Sequence, residues 1–331
     1  MRVASLGAGR MGRGVAVVFA YAGHDVAVVD FKERPQADFD RIAHDAAAEI
    51  EGIFHTLARI GLMDDSDAGV LMQRVRIVPA HNAAEAFGAA DYIFEALPEV
   101  LDLKRDALAR ASALAGKDTI IASTTSTILV DDMAGAVVDP GRFLNAHWLN
   151  PAFLVPLVEL SPGASTRPET TAAIKTMLEG IGKTPVVCAA RPGYIVPRIQ
   201  GMAMNEAARM VEEGVATAEE IDKAIIYGFG FRFAILGLLE FIDWGGGDIL
   251  YHTSRYMTGA LGNDRYAAPD IIERNMAEGR IGLKTRQGFL NYDGVDIDAY
   301  RETRLAAFAD SLRRLGLARK PVTEGNRRDT L

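Results

Sequence analysis

The sequence has a single cysteine, Cys188, in 331 residues. That excludes a disulfide framework within the chain and any cysteine-built metal cluster. Its neighbours Pro185-Val186-Val187 read as a strand, so the thiol is expected to be a buried strand residue rather than a nucleophile. No run of about 18 apolar residues occurs, which removes the simplest kind of transmembrane helix. Met1-Arg2 passes straight into an apolar strand with no signal-peptide pattern, and the expected location is the cytoplasm. Basic residues are in deficit: 36 Lys and Arg against 44 Asp and Glu leave a formal charge of −8. A surface of that sign does not attract nucleic acid or an anionic membrane, so neither partner is expected, although the charge also serves plain solubility. The remaining composition, 49% hydrophobic and 24% charged, is that of a globular protein. The chain is long for one core, which makes two domains the expectation.

Near the start, Val3-Ala4-Ser5-Leu6 is a short apolar run that ends in Gly7-Ala8-Gly9-Arg10-Met11-Gly12. A helical pattern runs from Gly14 to Tyr21, and Asp25-Val26-Ala27-Val28-Val29-Asp30 reads as a second strand. A bare G-x-G-x-x-G is weak evidence, but here it lies between strand and helix. An acid also follows 18 positions after the last glycine (30 − 12). This is the dinucleotide-binding context. Gly7 permits the tight turn, Gly9 lets a pyrophosphate reach the helix N-terminus, and Gly12 lets helix and strand pack. Arg10 and Met11 open that helix. Asp30 would accept from the ribose hydroxyls and repel a 2′-phosphate, so NAD is expected over NADP. The rival reading is a glycine-rich βαβ unit with no ligand.

A helical pattern then covers residues 35–60 and a shorter helix reaches Gln73, an insertion that could wall a cleft or pack on the sheet edge. Strands follow at Val75–Val78, Asp91–Ala96 and Thr119–Ala122, with a helix from Glu99 to Leu114 between the last two. In a doubly wound sheet the strand C-termini face the ligand. Glu95 to Glu99, with Ala96, Leu97 and Glu99 among them, and Ser123 to Ser126 of the hydroxyl cluster that runs on to Thr127, should therefore lie near the cofactor. For Ser126 a helix cap is an equal alternative.

The stretch that organises the chain is Asn145-Ala146-His147-Trp148-Leu149-Asn150-Pro151. Arg142-Phe143-Leu144 leads in as a strand, Asn150-Pro151 breaks it, and Leu154 to Leu160 is an apolar run carrying one acid, Glu159. Imidazole and carboxylate on adjacent strands would make an oriented general base. A core His bonded to backbone, with a Glu that never meets it, fits the same residues.

Pro168 to Gly182 reads as a helix and Thr184 to Cys188 as a last strand. After Arg191-Pro192-Gly193 the patterns are helical: 195–213, 218–227, 271–278 and 298–315, with a charged tail from Arg319 expected to fray. The fold class is α/β: an N-terminal Rossmann-type, mostly parallel sheet with a helical insertion over 1–188, then an all-α domain over 189–331. No spacing of His, Cys, Asp and Glu suggests a metal site.

With these elements in order, the chain resembles the 3-hydroxyacyl-CoA dehydrogenase family over nearly its full length. The motifs are Gly7 to Gly12 with Asp30, Glu95-Ala96-Leu97-Pro98-Glu99 with Lys104, Thr125-Ser126, and His147 with Asn150-Pro151. Pro156-Leu157-Val158-Glu159, Pro192-Gly193-Tyr194-Ile195-Val196 with Arg198, and Gly282-Leu283-Lys284-Thr285 with Gly288-Phe289 complete them. The resemblance implies that His147 and Glu159, 12 apart (159 − 147), form the catalytic pair. It implies that Ser126 meets the substrate oxygen, with Asn150 beside it. Glu99 and Lys104 would lie along the NAD, with Ser123 close by. The helical domain would form the interface of a homodimer, and the implied setting is fatty acid metabolism on a small-molecule substrate.

Two departures bear on the substrate. The family's usual Asn after Gly-Phe-Ile-Val is here Pro197, and Asn205, eight residues on, lies about 12 Å along a helix and cannot stand in. The stretch Gly228-Phe229-Gly230-Phe231-Arg232-Phe233-Ala234 looks more like the branch acting on carnitine or gulonate. There Arg232 either clamps a substrate carboxylate or makes a helix-end salt bridge. No lysine lies between Lys32 and Lys104, where CoA-binding relatives often have one. The leading expectation is NAD-dependent oxidation of a 3-hydroxyacyl-CoA, and the second is the same chemistry on a free hydroxy acid. A non-catalytic NAD-binding protein, as in relatives recruited as lens crystallins, is disfavoured by the intact Ser126, His147 and Glu159.

Overall fold

The computed structural model describes residues 1–321. The tail expected to fray from Arg319 lies, from position 322 on, outside the described residues. The chain divides into two compact units, Met1–Asn205 and Glu206–Leu331.

The first unit is built on β1 (Arg2–Leu6), β2 (Asp25–Asp30), β3 (Val75–Pro79), β4 (Tyr92–Glu95), β5 (Ile120–Ser123), β6 (Phe143–Trp148), β7 (Leu157–Pro162) and β8 (Thr184–Val187). These make one eight-stranded sheet in the order β3-β2-β1-β4-β5-β6-β7-β8. β1 to β6 are parallel, because helices carry the chain back between them. β7 runs antiparallel to β6, and β8 runs parallel to β7. Leu154 and Val155 both donate to the Pro151 carbonyl, so the expected strand from Leu154 starts only at Leu157. That tight turn sends β7 directly back along β6.

Both faces of the sheet are covered, and the strands alternate between two cores. Val26, Val28, Phe94, Leu144, Ala146, Trp148, Val158 and Leu160 join one cluster. Ala4, Leu6, Ala27, Val29, Ile93, Ile121 and Phe143 join the other. With a period of two, Asn145, His147 and Glu159 must project from the second face. Three buried polar side chains thus occupy sheet positions where apolar ones would otherwise sit.

The insertion after β2 is the helix Gln36–Arg59, closed by Gly61 at φ +78°, then the short helix Ala68–Met72. Helices Ala83–Ala89 and Val130–Ala134 have no counterpart in the sequence reading, being too short to show a hydrophobic period.

Among its described residues the second unit is helical apart from isolated bridges joining Gly282 to Gln287 and Gln287 to Asn291. Its helix Gly247–Leu261 was hidden from pattern reading by the triplet Gly245-Gly246-Gly247. Gly246 turns the chain at φ +108° and the helix begins at once. The helix expected over 218–227 is α-helical at Ala218–Ala224 and continues as a π-helical segment, Ile225–Gly230, running into the single helical turn Phe231–Phe233. Among the described residues no single helix is long and apolar enough to cross a membrane.

Candidate active site

The glycine loop has the geometry that a pyrophosphate needs. Gly7 sits at φ +118°, a conformation that L side chains rarely adopt. A Cβ on Gly12 would lie 2.1 Å from the Gly7 carbonyl oxygen and 2.5 Å from Ser5 Oγ, so only glycine fits there. Gly9 caps the helix Arg10–Tyr21 without a side chain, and the N–H groups of Arg10, Met11 and Gly12 precede the first intrahelical bond, Arg13 N–H to the Gly9 carbonyl, as the first turn of a helix must. Asp30 closes β2, only 7% exposed, and Arg34 Nε donates to its Oδ2 at 2.7 Å. Sequence reading missed Arg34, although a cation four residues after the ribose acid was its signal. These residues fit the adenosine and pyrophosphate of NAD.

Beneath the loop that follows β4 lies a buried ion pair. Lys104, 1% exposed, donates to Glu95 Oε1 and Oε2 at 2.8 and 3.0 Å and to the Leu97 carbonyl at 3.1 Å. Glu95, wholly buried, also accepts from Leu97 N at 2.7 Å and from the Ser123 hydroxyl. Ala96 and Leu97 therefore reach the crevice edge on a loop held from below. The side chains of Lys104 and Ser123 are committed to the support. Towards the crevice Lys104 meets the Leu97 carbonyl and, at 3.5 Å, Glu99.

Glu99 gathers the hydroxyl cluster. Its Oε1 accepts from the Thr125 and Thr127 hydroxyls and from the N–H groups of Ser126 (3.0 Å) and Thr127 (2.9 Å). Burial alone would raise this carboxyl, but the hydroxyls of Thr125 and Thr127 and the Lys104 charge outweigh it and hold the pKa at about 2. A fixed, ionised Glu99 thus pins the backbone of Ser126 and leaves that serine's side chain on an exposed residue.

His147 and Glu159 are paired across β6 and β7 in register, and their side chains meet on the same face. Nδ1 lies 2.8 Å from Glu159 Oε2, with the imidazole 4% exposed and the carboxylate fully buried. A carboxylate only accepts, so Nδ1 carries the proton and Nε2 keeps its lone pair. The other oxygen, Oε1, accepts from the backbone N–H groups of Ile195 (2.9 Å) and Val196 (2.8 Å), where the helix Val196–Glu212 begins. That helix end stabilises the buried charge. Pro197 is the second residue of this helix, where the missing N–H costs little.

Tyr194 covers the imidazole with its ring and donates its hydroxyl to the Thr125 carbonyl at 2.9 Å. Burial pushes the phenol up, which keeps it a donor. The pair at β6–β7 is in this way tied to the Ser126 loop. Cys188 follows β8, and burial, with the Glu159 charge next, raises its thiol, so it is no thiolate. Asn150 is exposed, two residues past the end of β6. In the second unit, Arg232 is exposed, donates Nε to the Gly228 carbonyl at 3.0 Å and lies 5.3 Å from the Phe241 ring centre. Among the described residues no cluster of three His, Cys, Asp or Glu is arranged to hold a metal.

Comparison with known proteins agrees over most of the chain. The family model described as the NAD binding domain of 3-hydroxyacyl-CoA dehydrogenase matches residues 2–191, and that of its C-terminal domain matches residues 193–292. A 5-formyl-3-hydroxy-2-methylpyridine 4-carboxylate 5-dehydrogenase from Mesorhizobium japonicum is 30% identical, over 88% of this chain and 90% of its own. An L-carnitine dehydrogenase from Streptomyces coelicolor is 32% identical over 82% of each chain. Among solved structures, a 3-hydroxyacyl-CoA dehydrogenase from Archaeoglobus fulgidus matches with a TM-score of 0.73 and 29% identity. That match covers 96% of this chain and all of the other.

Proposed function

The chain belongs to the 3-hydroxyacyl-CoA dehydrogenase family, and from that premise we propose that it oxidises a 3-hydroxyacyl-CoA of the 3-hydroxybutyryl type to the 3-ketoacyl-CoA, reversibly. It is an NAD-dependent dehydrogenase acting on a hydroxyl group. Bound along the glycine loop, NAD supplies the hydride acceptor. The observation that carries the proposal is the His147–Glu159 bond of 2.8 Å inside the sheet. With Nδ1 committed, Nε2 takes the proton of the substrate hydroxyl, and returns it in the reverse direction. Glu159, fixed by two backbone N–H groups, stabilises the imidazolium that forms. Ser126 is assigned to the substrate oxygen, with Asn150 beside it. The test is NAD reduction with 3-hydroxybutyryl-CoA, free 3-hydroxybutyrate, carnitine and gulonate in parallel. NADH formed with the thioester supports the reading, and NADH formed only with a free acid sinks it in favour of the second.

That second reading is the same chemistry on a small free hydroxy carboxylate. It is supported by the relative that acts on carnitine and by the exposed Arg232, which follows a π-helical segment of a kind frequent at functional sites. Losing one partner of a desolvated charge pair costs about 2–5 kcal/mol, or roughly 30- to several thousand-fold in affinity. Arg232→Met is therefore expected to raise KM for a free acid by that factor and to leave NAD affinity and thioester kinetics alone. A flat response in an enzyme active on free acids would make Arg232 a structural residue, serving only its Gly228 and Phe241 contacts.

The cofactor preference follows from Asp30 and Arg34. Asp30→Ala is expected to weaken NAD and, by releasing a guanidinium beside the ribose, to admit NADP. Fluorescence titration with NADH and NADPH checks this; equal affinities in the unaltered protein would sink the assignment to Asp30. A homodimer through the helical unit is proposed as well. Its support is the apolar surface left by Ile226, Tyr227, Ile249 and Tyr256 among others. Light scattering at twice the chain mass would agree with it, and a monomer would not.

A further inference from the structure

We propose that Tyr194 is a positioning residue for this reaction, whose ring face holds the His147 imidazole in its plane and favours the charge that the imidazole takes up. The inference rests on the reading of His147 as the acid–base group. The two rings are nearly parallel, 3° apart in orientation, with centroids separated by 5.0 Å. That is offset stacking, which fixes a ring plane more firmly than aliphatic packing does. An aromatic face is electron-rich and attracts a cation above it. The contact therefore strengthens as His147 passes from imidazole to imidazolium. A gain confined to the charged form lowers the barrier without tightening the ground state.

Tyr194 is itself held in place from several sides. Its backbone lies at φ 44°, uncommon for a residue with a side chain, directly after Gly193 at φ +79°. Such a conformation persists where the surroundings over-determine it. Here the phenol donates to the Thr125 carbonyl at 2.9 Å and accepts from Asn145 Nδ2 at 3.0 Å. Asn145 in turn donates to the Ile128 carbonyl at 2.9 Å, and it shares the strand face of His147 two residues earlier. The next two residues, Ile195 and Val196, donate to Glu159. One short segment thus holds both members of the pair, with a ring against the imidazole and two N–H groups against the carboxylate.

The test compares Tyr194→Phe, Tyr194→Leu and His147→Ala in the full chain. Initial rates of NAD reduction are measured with whichever of the four alcohols the unaltered enzyme oxidises. NADH titration gives the amount of folded enzyme and the cofactor affinity. Tyr194→Leu is expected to lose on the order of tenfold in kcat with KM for NAD and NADH affinity unchanged. Tyr194→Phe keeps the ring face and is expected to restore most of that loss. Tyr194→Met, close in volume and adaptable, replaces the leucine variant if that protein does not fold. Full kcat in the leucine or methionine variant, with His147→Ala inactive, overturns the inference and spares the reading of the site. An equal loss in the phenylalanine and leucine variants also overturns it, because the hydroxyl anchor would then be the whole effect. Turnover surviving in His147→Ala overturns the site reading and this inference together, and that variant alone reveals it.

Discussion

His147→Ala and His147→Gln are expected to lose about 10²–10⁴ in turnover, the usual worth of a positioned acid–base group. NADH affinity should be unchanged, because the imidazole serves the alcohol and the glycine loop serves the dinucleotide. Glu159→Gln should also impair turnover. An amide still accepts from Ile195 and Val196 N–H, so the local fold survives, but the countercharge to the imidazolium is gone. The double variant should then cost little more than His147→Ala alone, since the carboxylate acts through the ring. Initial rates in both directions, with the NADH stoichiometry, check this. Near-normal turnover in a folded His147→Ala enzyme would remove His147 from the role, and additive losses would give Glu159 a separate one.

How far the sequence speaks depends on whether a feature is carried by side chains close in the chain. The glycine loop is legible because two of its three glycines have a steric reason within a few residues: Gly7 for its positive φ, Gly12 for its contact with the Gly7 carbonyl. His147 and Glu159 are legible as a candidate pair because a proline turn separates two strands, and antiparallel register follows from such a turn. The other half of the Glu159 environment is not legible. It comes from backbone N–H groups 36 residues later (195 − 159), and a backbone donor leaves no mark on residue type. Tyr194 is legible only as part of a motif, since nothing in a sequence says that two rings are parallel. Asn145 reads as an ordinary strand polar residue until its strand face is known. The Thr125 and Thr127 hydroxyls both donate to Glu99, while that of Thr125 also accepts from Ile128 N at 3.0 Å and so caps the turn that follows.

Lys104 is the residue for which burial changes the expected result most. As a lysine on the helix Leu101–Leu114 it reads as a surface cation lying along the dinucleotide, and Lys104→Met would then weaken NADH and spare stability. Its ammonium is instead sealed against Glu95, 2.8 Å away, with both side chains almost free of solvent. Taking away one member of such a pair leaves an uncompensated buried charge, which costs about 3–5 kcal/mol. For a unit of this size, 1 kcal/mol moves Tm by about 2–4 °C, so Lys104→Met is expected to melt roughly 6–20 °C lower. The remedy should lie on Glu95 and not on the cofactor. Glu95→Gln in the Lys104→Met background removes the stranded charge while leaving an oxygen to accept from Leu97 N and an amide N–H that can donate to the Ser123 hydroxyl, and should recover most of the lost stability. The coupling is then large and of opposite sign to additivity, since two replacements together cost less than one. Thermal melts of the two single variants and the double variant, followed by NADH titration below each transition, read both quantities. If Lys104→Met melts within a few degrees of the unaltered protein and binds NADH poorly, the ammonium is a cofactor contact and the buried pair is incidental.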